Sequence, residues 1–143
     1  MNGRRTLIAG PPASGKTTLA KMLGGDVLEF DSIARQFGSY KELYEERELA
    51  VRMFHLKSIF CDCKILVDTF HTVESRMETL RFFHEKPDLI IVDCTLETCI
   101  MRNSFRSSSM VSNEEIKRIY LSFEPASIDE GFNSIWIYKS DNR

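Results

Sequence analysis

The sequence predicts an α/β fold: a parallel sheet of five strands with helices on both faces. Two observations predict it. Short apolar runs alternate with longer amphipathic ones along the 143 residues, as they must when parallel strands are joined by helical crossovers. Between the first apolar run and the first amphipathic one, residues 10–17 read G-P-P-A-S-G-K-T, a glycine-framed loop leading from a strand into a helix.

Residues 6–10 form the first strand and residues 16–23 the first helix, which Gly24-Gly25 stops. Residues 26–30 make a short second strand that delivers Asp31, and a short helix from Ser32 to about Phe37 ends at Gly38. Ser39-x-x-Glu42 is a capping box. It opens a long helix to about Phe60, with Leu43, Ala50, Val51, Phe54 and Ile59 at helical spacings. Residues 64–68 are a third strand ending in Asp68. Thr72 caps a helix from Val73 to about Glu85, which Lys86-Pro87 prevents from continuing. Residues 88–94 are a fourth strand, apolar enough to be buried on both faces. Thr95 caps a helix to about Phe105, and the segment from Arg106 to Val111 is a Ser-rich loop. Ser112-x-x-Glu115 is a second capping box, whose helix runs to Phe123 before Glu124-Pro125 breaks it. Residues 134–138 are the last strand, and the tail after Lys139 is expected to be loose.

No repeat, linker or composition shift divides the chain, so residues 1–143 read as one domain. Hydrophobic content of 43% supports an ordinary soluble core. A net charge of −2 excludes the global footprint of a strong duplex binder. A nucleic-acid partner would be short, single-stranded or gripped locally. No apolar stretch approaches the roughly 20 residues of a membrane span. The first strand begins at once, which leaves no signal peptide, and a cytoplasmic protein is expected. The four cysteines, Cys61, Cys63, Cys94 and Cys99, have spacings that suit neither a zinc site nor a disulfide framework. They read as reduced thiols.

The loop carries the strongest chemical signal. Gly10 and Gly15 let the backbone turn and bring its N–H groups close to an anion. The helix beginning near Lys16 points its positive end at the same place. Lys16 can reach β- and γ-phosphates and the Thr17 hydroxyl can ligate Mg²⁺. A nucleoside triphosphate is therefore the expected ligand, bound by Gly10, Ala13, Ser14, Gly15, Lys16, Thr17 and Thr18. This makes the fold a three-layer P-loop NTPase.

The carboxyl ends of the other strands supply the remaining candidates. Asp68 holds Mg²⁺, orients the acceptor, or merely begins a turn. Asp31 can accept a hydrogen bond from an attacking hydroxyl, and can cap the helix that follows. Arg35 lies four residues later, where both can face one cleft; it suits a phosphate, or sits on the surface. Arg102 and Arg106 end a helix before the Ser-rich loop. They read as a lid over about 102–113 that brings cations to a transferring phosphoryl group, Arg106 ahead of Arg102, or as a basic helix end favoured by its dipole. His71 either lines the cleft or is a loop residue.

The chain resembles the P-loop kinases of the polynucleotide 5′-hydroxyl kinase type found in phages and bacteria. The likeness rests on G-P-P-A-S-G-K-T-T, F-D-S-I-A-R, I-L-V-D-T-F-H-T-V-E-S-R, M-R-N-S-F-R and F-E-P-A-S-I-D-E-G-F-N-S-I. It implies ATP and Mg²⁺ on Lys16 and Thr17, Asp31 as general base on a 5′-OH, and Arg35 on the acceptor's 3′-phosphate. It also implies Asp68 at the acceptor or metal site, and Arg106 on the ATP phosphates. Two positions depart from the family. The arginine usually stands three residues after the aspartate, where this chain has Ala34, and Phe70 replaces a frequent asparagine. The first reading is a kinase of a polynucleotide 5′-OH. The alternatives are a kinase of a nucleoside, nucleotide or metabolite, and a non-catalytic ATP-binding module.

Overall fold

A computed structural model describes residues 4–34, 47–106 and 111–141. Five strands form one parallel sheet: β1 (Thr6–Ala9), β2 (Val27–Glu29), β3 (Ile65–Val67), β4 (Asp88–Asp93) and β5 (Ser134–Lys139), in the order β2-β3-β1-β4-β5. The helices are α1 (Lys16–Leu23), α2 (Phe30–Ala34), α3 (Arg47–Phe60), α4 (Val73–Leu80), α5 (Leu96–Ser104) and α6 (Asn113–Leu121), with a 3₁₀ turn at Ile128–Glu130. Thr6 pairs with both Ile65 and Asp88, Val27 with Ile65, and Asp88 with Ser134. This common register brings the carboxyl ends of all five strands to one side of the molecule.

Alternation along β1 builds two cores. Leu7 and Ala9 face Phe30, Ile33, Ala50, Phe54, Phe70 and Phe132. Ile8 faces Leu19, Ala20 and Val92 on the α1 side. Along α3, Ala50, Phe54 and Ser58 are buried and Ile59 is 44% exposed. Positions 50, 54 and 58 share a face, and Ile59 lies about 100° around the helix from Ser58. Arg5 closes the lower end of this core. Its guanidinium donates to the Ser58 and Cys61 carbonyls at 2.5 and 2.6 Å, at the C-terminus of α3, and lies 5.2 Å from the Phe83 ring.

Thr72, Thr95 and Ser112 cap α4, α5 and α6, accepting from Ser75, Thr98 and Glu115 amides. At α6 the reciprocal half of the capping box is replaced, because the Glu115 carboxylate pairs with Arg118. The reciprocal box is found instead at Ser127 and Glu130. The first capping box, Ser39-x-x-Glu42, lies outside the described residues. The helix from Val73 ends at Leu80 rather than near Glu85. Phe82 and Phe83 donate to carbonyls three residues back, which tightens the chain and turns Phe83 toward Arg5. Helix α2 begins at Phe30, two residues before the expected start, and so takes Asp31 into its first turn. The segment after Lys139 is not loose. Ser140 N–H donates to the Asp93 carbonyl at 2.9 Å, and Asp141 accepts from the Thr95 amide at 2.9 Å.

Arg76 is 1% exposed and organises the turn between β3 and α4. It donates to the Phe70, Glu124 and Pro125 carbonyls and forms an ion pair with Glu130 at 2.7 Å. Phe70 has a left-handed backbone, φ 44°, a conformation asparagine adopts far more readily. Here burial of the ring against Phe54, centroids 6.3 Å apart, and the bond from Arg76 hold it. Removing one partner of a buried ion pair leaves the other charge uncompensated. Arg76→Ala is predicted to cost about 3–5 kcal/mol of unfolding free energy, measured by urea denaturation. A loss below about 1 kcal/mol, the range of surface pairs, would contradict this account of the turn.

Candidate functional site

Residues 10–15 leave β1 and curl back beneath the N-terminus of α1. Ala13 (φ 63°) and Gly15 (φ 105°) are left-handed, which is what makes the curl tight. The loop's carbonyls are held from behind. The Lys16 ammonium donates to the Gly10 and Pro11 carbonyls at 2.8 and 2.9 Å. The Ser14 carbonyl accepts from the Arg102 guanidinium at 2.9 Å and from the Ser140 hydroxyl at 2.5 Å. The first amides of α1 have no carbonyl partner within the helix. The Ser14 hydroxyl is buried and has no hydrogen-bond partner among the described residues. A polyanion at the loop's mouth would satisfy both, so these residues fit phosphate groups.

A cleft opens beside the loop. Pro12, Lys16 and Thr17 form one wall, Glu29 and Asp31 another, and Asp68, Thr69 and His71 a third. Val111, Glu115, Arg118 and Ile119 cover it. Burial pulls the Lys16 pKa below 10.5; the Asp31 and Asp68 carboxylates oppose that shift, and Arg106 adds to it. All four side chains therefore share one field. The Thr17 hydroxyl donates to Glu29 at 2.7 Å, and the Ser32 hydroxyl bonds the other oxygen of the same carboxylate at 3.3 Å. Thr17, Glu29 and Asp68 are oxygen donors of the type Mg²⁺ prefers. Among the described residues no three His, Cys, Asp or Glu side chains gather as a metal cage.

The expected residues divide as follows. Lys16, Thr17, Asp31, Asp68 and His71 line the one cleft. Gly10, Ala13, Ser14 and Gly15 form the loop, and Thr18 is exposed in the first turn of α1. Arg102 braces the back of the loop, also donating to the Ser140 carbonyl at 2.7 Å. Arg106 follows α5 and is half-buried. Arg35 and residues 107–110 of the expected lid lie outside the described residues. Glu29, Glu115 and Arg118 were not anticipated. Glu29 ends β2, the position the strand-end rule singles out. Glu115 and Arg118 stand three apart behind a Ser112 cap, on one helix face.

No protein-family model matches the chain, and no curated protein matches it by sequence. Solved structures do match its fold. A gluconokinase from Sinorhizobium meliloti 1021 is 10% identical, with TM-score 0.71, over 98% of this chain and 84% of that one. A shikimate kinase from Bacteroides thetaiotaomicron is 18% identical, with TM-score 0.59, over 92% of this chain and 85% of that one. A chain of a Pnkp1/Rnl/Hen1 complex is 20% identical, with TM-score 0.55, over 71% of this chain and 40% of that one. At these identities the likeness establishes the fold alone, a five-stranded parallel α/β sheet flanked by helices.

The Gly10 position gives a direct test of the loop's packing. A Cβ there would stand 2.7 Å from the Ser14 hydroxyl and 3.0 Å from the Val92 carbonyl. Gly10→Ala is predicted to lower stability by about 1–3 kcal/mol through overpacking, read from the urea midpoint. An unchanged midpoint would show that the loop does not lie this close to β4.

Proposed function

We propose that the chain is a single kinase domain, residues 1–143 with a lid over about 102–113, that transfers the γ-phosphate of ATP to a hydroxyl of a small polyhydroxylated acceptor. One observation carries the choice of acceptor. The cleft beside the loop is lined by four carboxylates, Glu29, Asp31, Asp68 and Glu115, of which Glu115 is paired with Arg118, against the ammonium of Lys16. Hydroxyl groups find acceptors on such walls, whereas the phosphates of a polymer meet repulsion. The gluconokinase and shikimate kinase likenesses support the same reading.

The chemistry follows from position. Lys16 and the α1 amides hold the phosphates and face the charge that develops on transfer. Thr17, Glu29 and Asp68 would hold Mg²⁺, which when bound neutralises phosphate charge. Asp31 accepts a hydrogen bond from the acceptor hydroxyl and aims its oxygen at the γ-phosphorus. The transition state is loose in most analyses, so this orientation matters more than early proton removal. Arg106 brings a cation from the end of α5. Arg102 acts on the nucleotide side by fixing the Ser14 carbonyl.

The second reading is the polynucleotide 5′-OH, with a short or single-stranded nucleic acid as acceptor. The likeness to the Pnkp1 complex favours it. Transfer of labelled γ-phosphate from ATP with Mg²⁺ separates the two. Acceptors would be sugars, sugar acids and cyclic polyols in one arm, and 5′-OH oligonucleotides and 3′-nucleoside monophosphates in the other. The account predicts label on a small polyhydroxylated compound. Asp31→Asn is predicted to lower kcat by about 10²–10⁴ while ATP binding persists. Label on the oligonucleotide alone would replace the proposal with the second reading.

A further inference from the structure

Cys94 follows β4, and Cys99 lies in the first turn of α5. Both are fully buried, and their Sγ atoms stand 2.9 Å apart. A disulfide needs about 2.05 Å, so a small approach of the two side chains would join them. Together with Ile116 they form a compact cluster between α5 and α6. The surroundings are electropositive on the side of the nucleotide loop. Arg102 acts on both thiols and Lys16 on Cys99, while Asp141 opposes at Cys94.

We propose that Cys94 and Cys99 form a redox-active dithiol that a hydroperoxide closes to a disulfide. The pair divides the two roles such a reaction requires. The hydrogen bond from Cys99, with help from Ser140 and Arg102, brings the Cys94 thiol down to about 7 against its burial. The same hydrogen bond, with burial, pushes Cys99 up. Cys94 is then the attacking thiolate and Cys99 the resolving thiol.

The Cys94 thiolate attacks one peroxide oxygen and the O–O bond breaks. The departing oxygen takes a proton and leaves as water or an alcohol, and Cys94 becomes a sulfenic acid. The Cys99 sulfur then attacks Cys94 Sγ as its own proton passes to the hydroxide that leaves. An S–S bond forms, an S–O bond breaks, and water is released. Two thiols lose two electrons, and the peroxide gains them. Both sulfurs are fully buried, which restricts the oxidant to a small hydroperoxide. The new bond would fasten the first turn of α5, the helix that carries Arg102, to the end of β4.

Cys61 and Cys63 are the internal control, because both are more exposed than the buried pair. Burial and the Cys61 hydrogen bond push the Cys63 thiol up to about 11. The full chain would be treated with hydrogen peroxide, quenched with catalase, denatured, alkylated and digested for peptide masses. The expected product is a Cys94–Cys99 linkage lighter by two hydrogens, reversed by dithiothreitol and formed before any change at Cys61 or Cys63. Oxidation of Cys61 or Cys63 while Cys94 and Cys99 are still alkylated as thiols would overturn the proposal. In Cys99→Ser, dimedone added with denaturant after the peroxide is quenched should label Cys94 as its sulfenic acid. Labelling of Cys61 or Cys63 without Cys94 would overturn it as well.

Discussion

A loop that binds an anion through its backbone must turn its carbonyls away, and everything else in this site depends on how that is done. Each carbonyl facing the wrong way would oppose the ligand, and each one buried without a partner costs about 1–3 kcal/mol. In this chain Lys16 takes the carbonyls of Gly10 and Pro11, while Arg102 and Ser140 take that of Ser14. The lysine therefore has a structural task before any phosphate arrives. Arg102 and Ser140 come from different elements, one from α5 and the other from the residue after β5, and are hydrogen-bonded to each other. The loop is fixed by residues that lie 88 and 126 positions away in the chain, which is why the end of β5 is ordered against β4.

The opposite wall of the cleft depends on a second buried cation. Arg76 holds the Phe70 carbonyl and joins α4 to the segment at 124–130. Without it, a phenylalanine in a left-handed conformation would be strained with no compensation. The departure at Phe70 from the polynucleotide kinase pattern is thus absorbed locally. The ring enters the main core, and the turn still delivers Asp68 and His71 to the cleft.

The strand–helix alternation was legible because the strands are short and mostly apolar, and because β3 and β4 are followed by helices with a threonine cap. Asp31, Asp68 and the loop were legible for a related reason: parallel strands in register put their carboxyl ends together, whatever the side chains do. What escaped was set by contacts between distant segments. The role of Ser140 arises from its register beside Asp93 and Ser14, which no local pattern encodes. Arg102 reads in sequence as a phosphate ligand, and only the packing of α5 shows it behind the loop. Glu29 was hidden by reading β2 one residue too long, which made it an interior strand position rather than the strand's end.

The central claim is that the loop and Lys16 bind nucleotide phosphates. Isothermal calorimetry of ATP with Mg²⁺, on the wild-type chain and on Lys16→Ala, tests it most directly. The account predicts that the variant stays folded and binds about 10- to 100-fold more weakly, the loss of one or two charge-assisted hydrogen bonds. Equal affinity in the two proteins would place the nucleotide elsewhere and contradict the account.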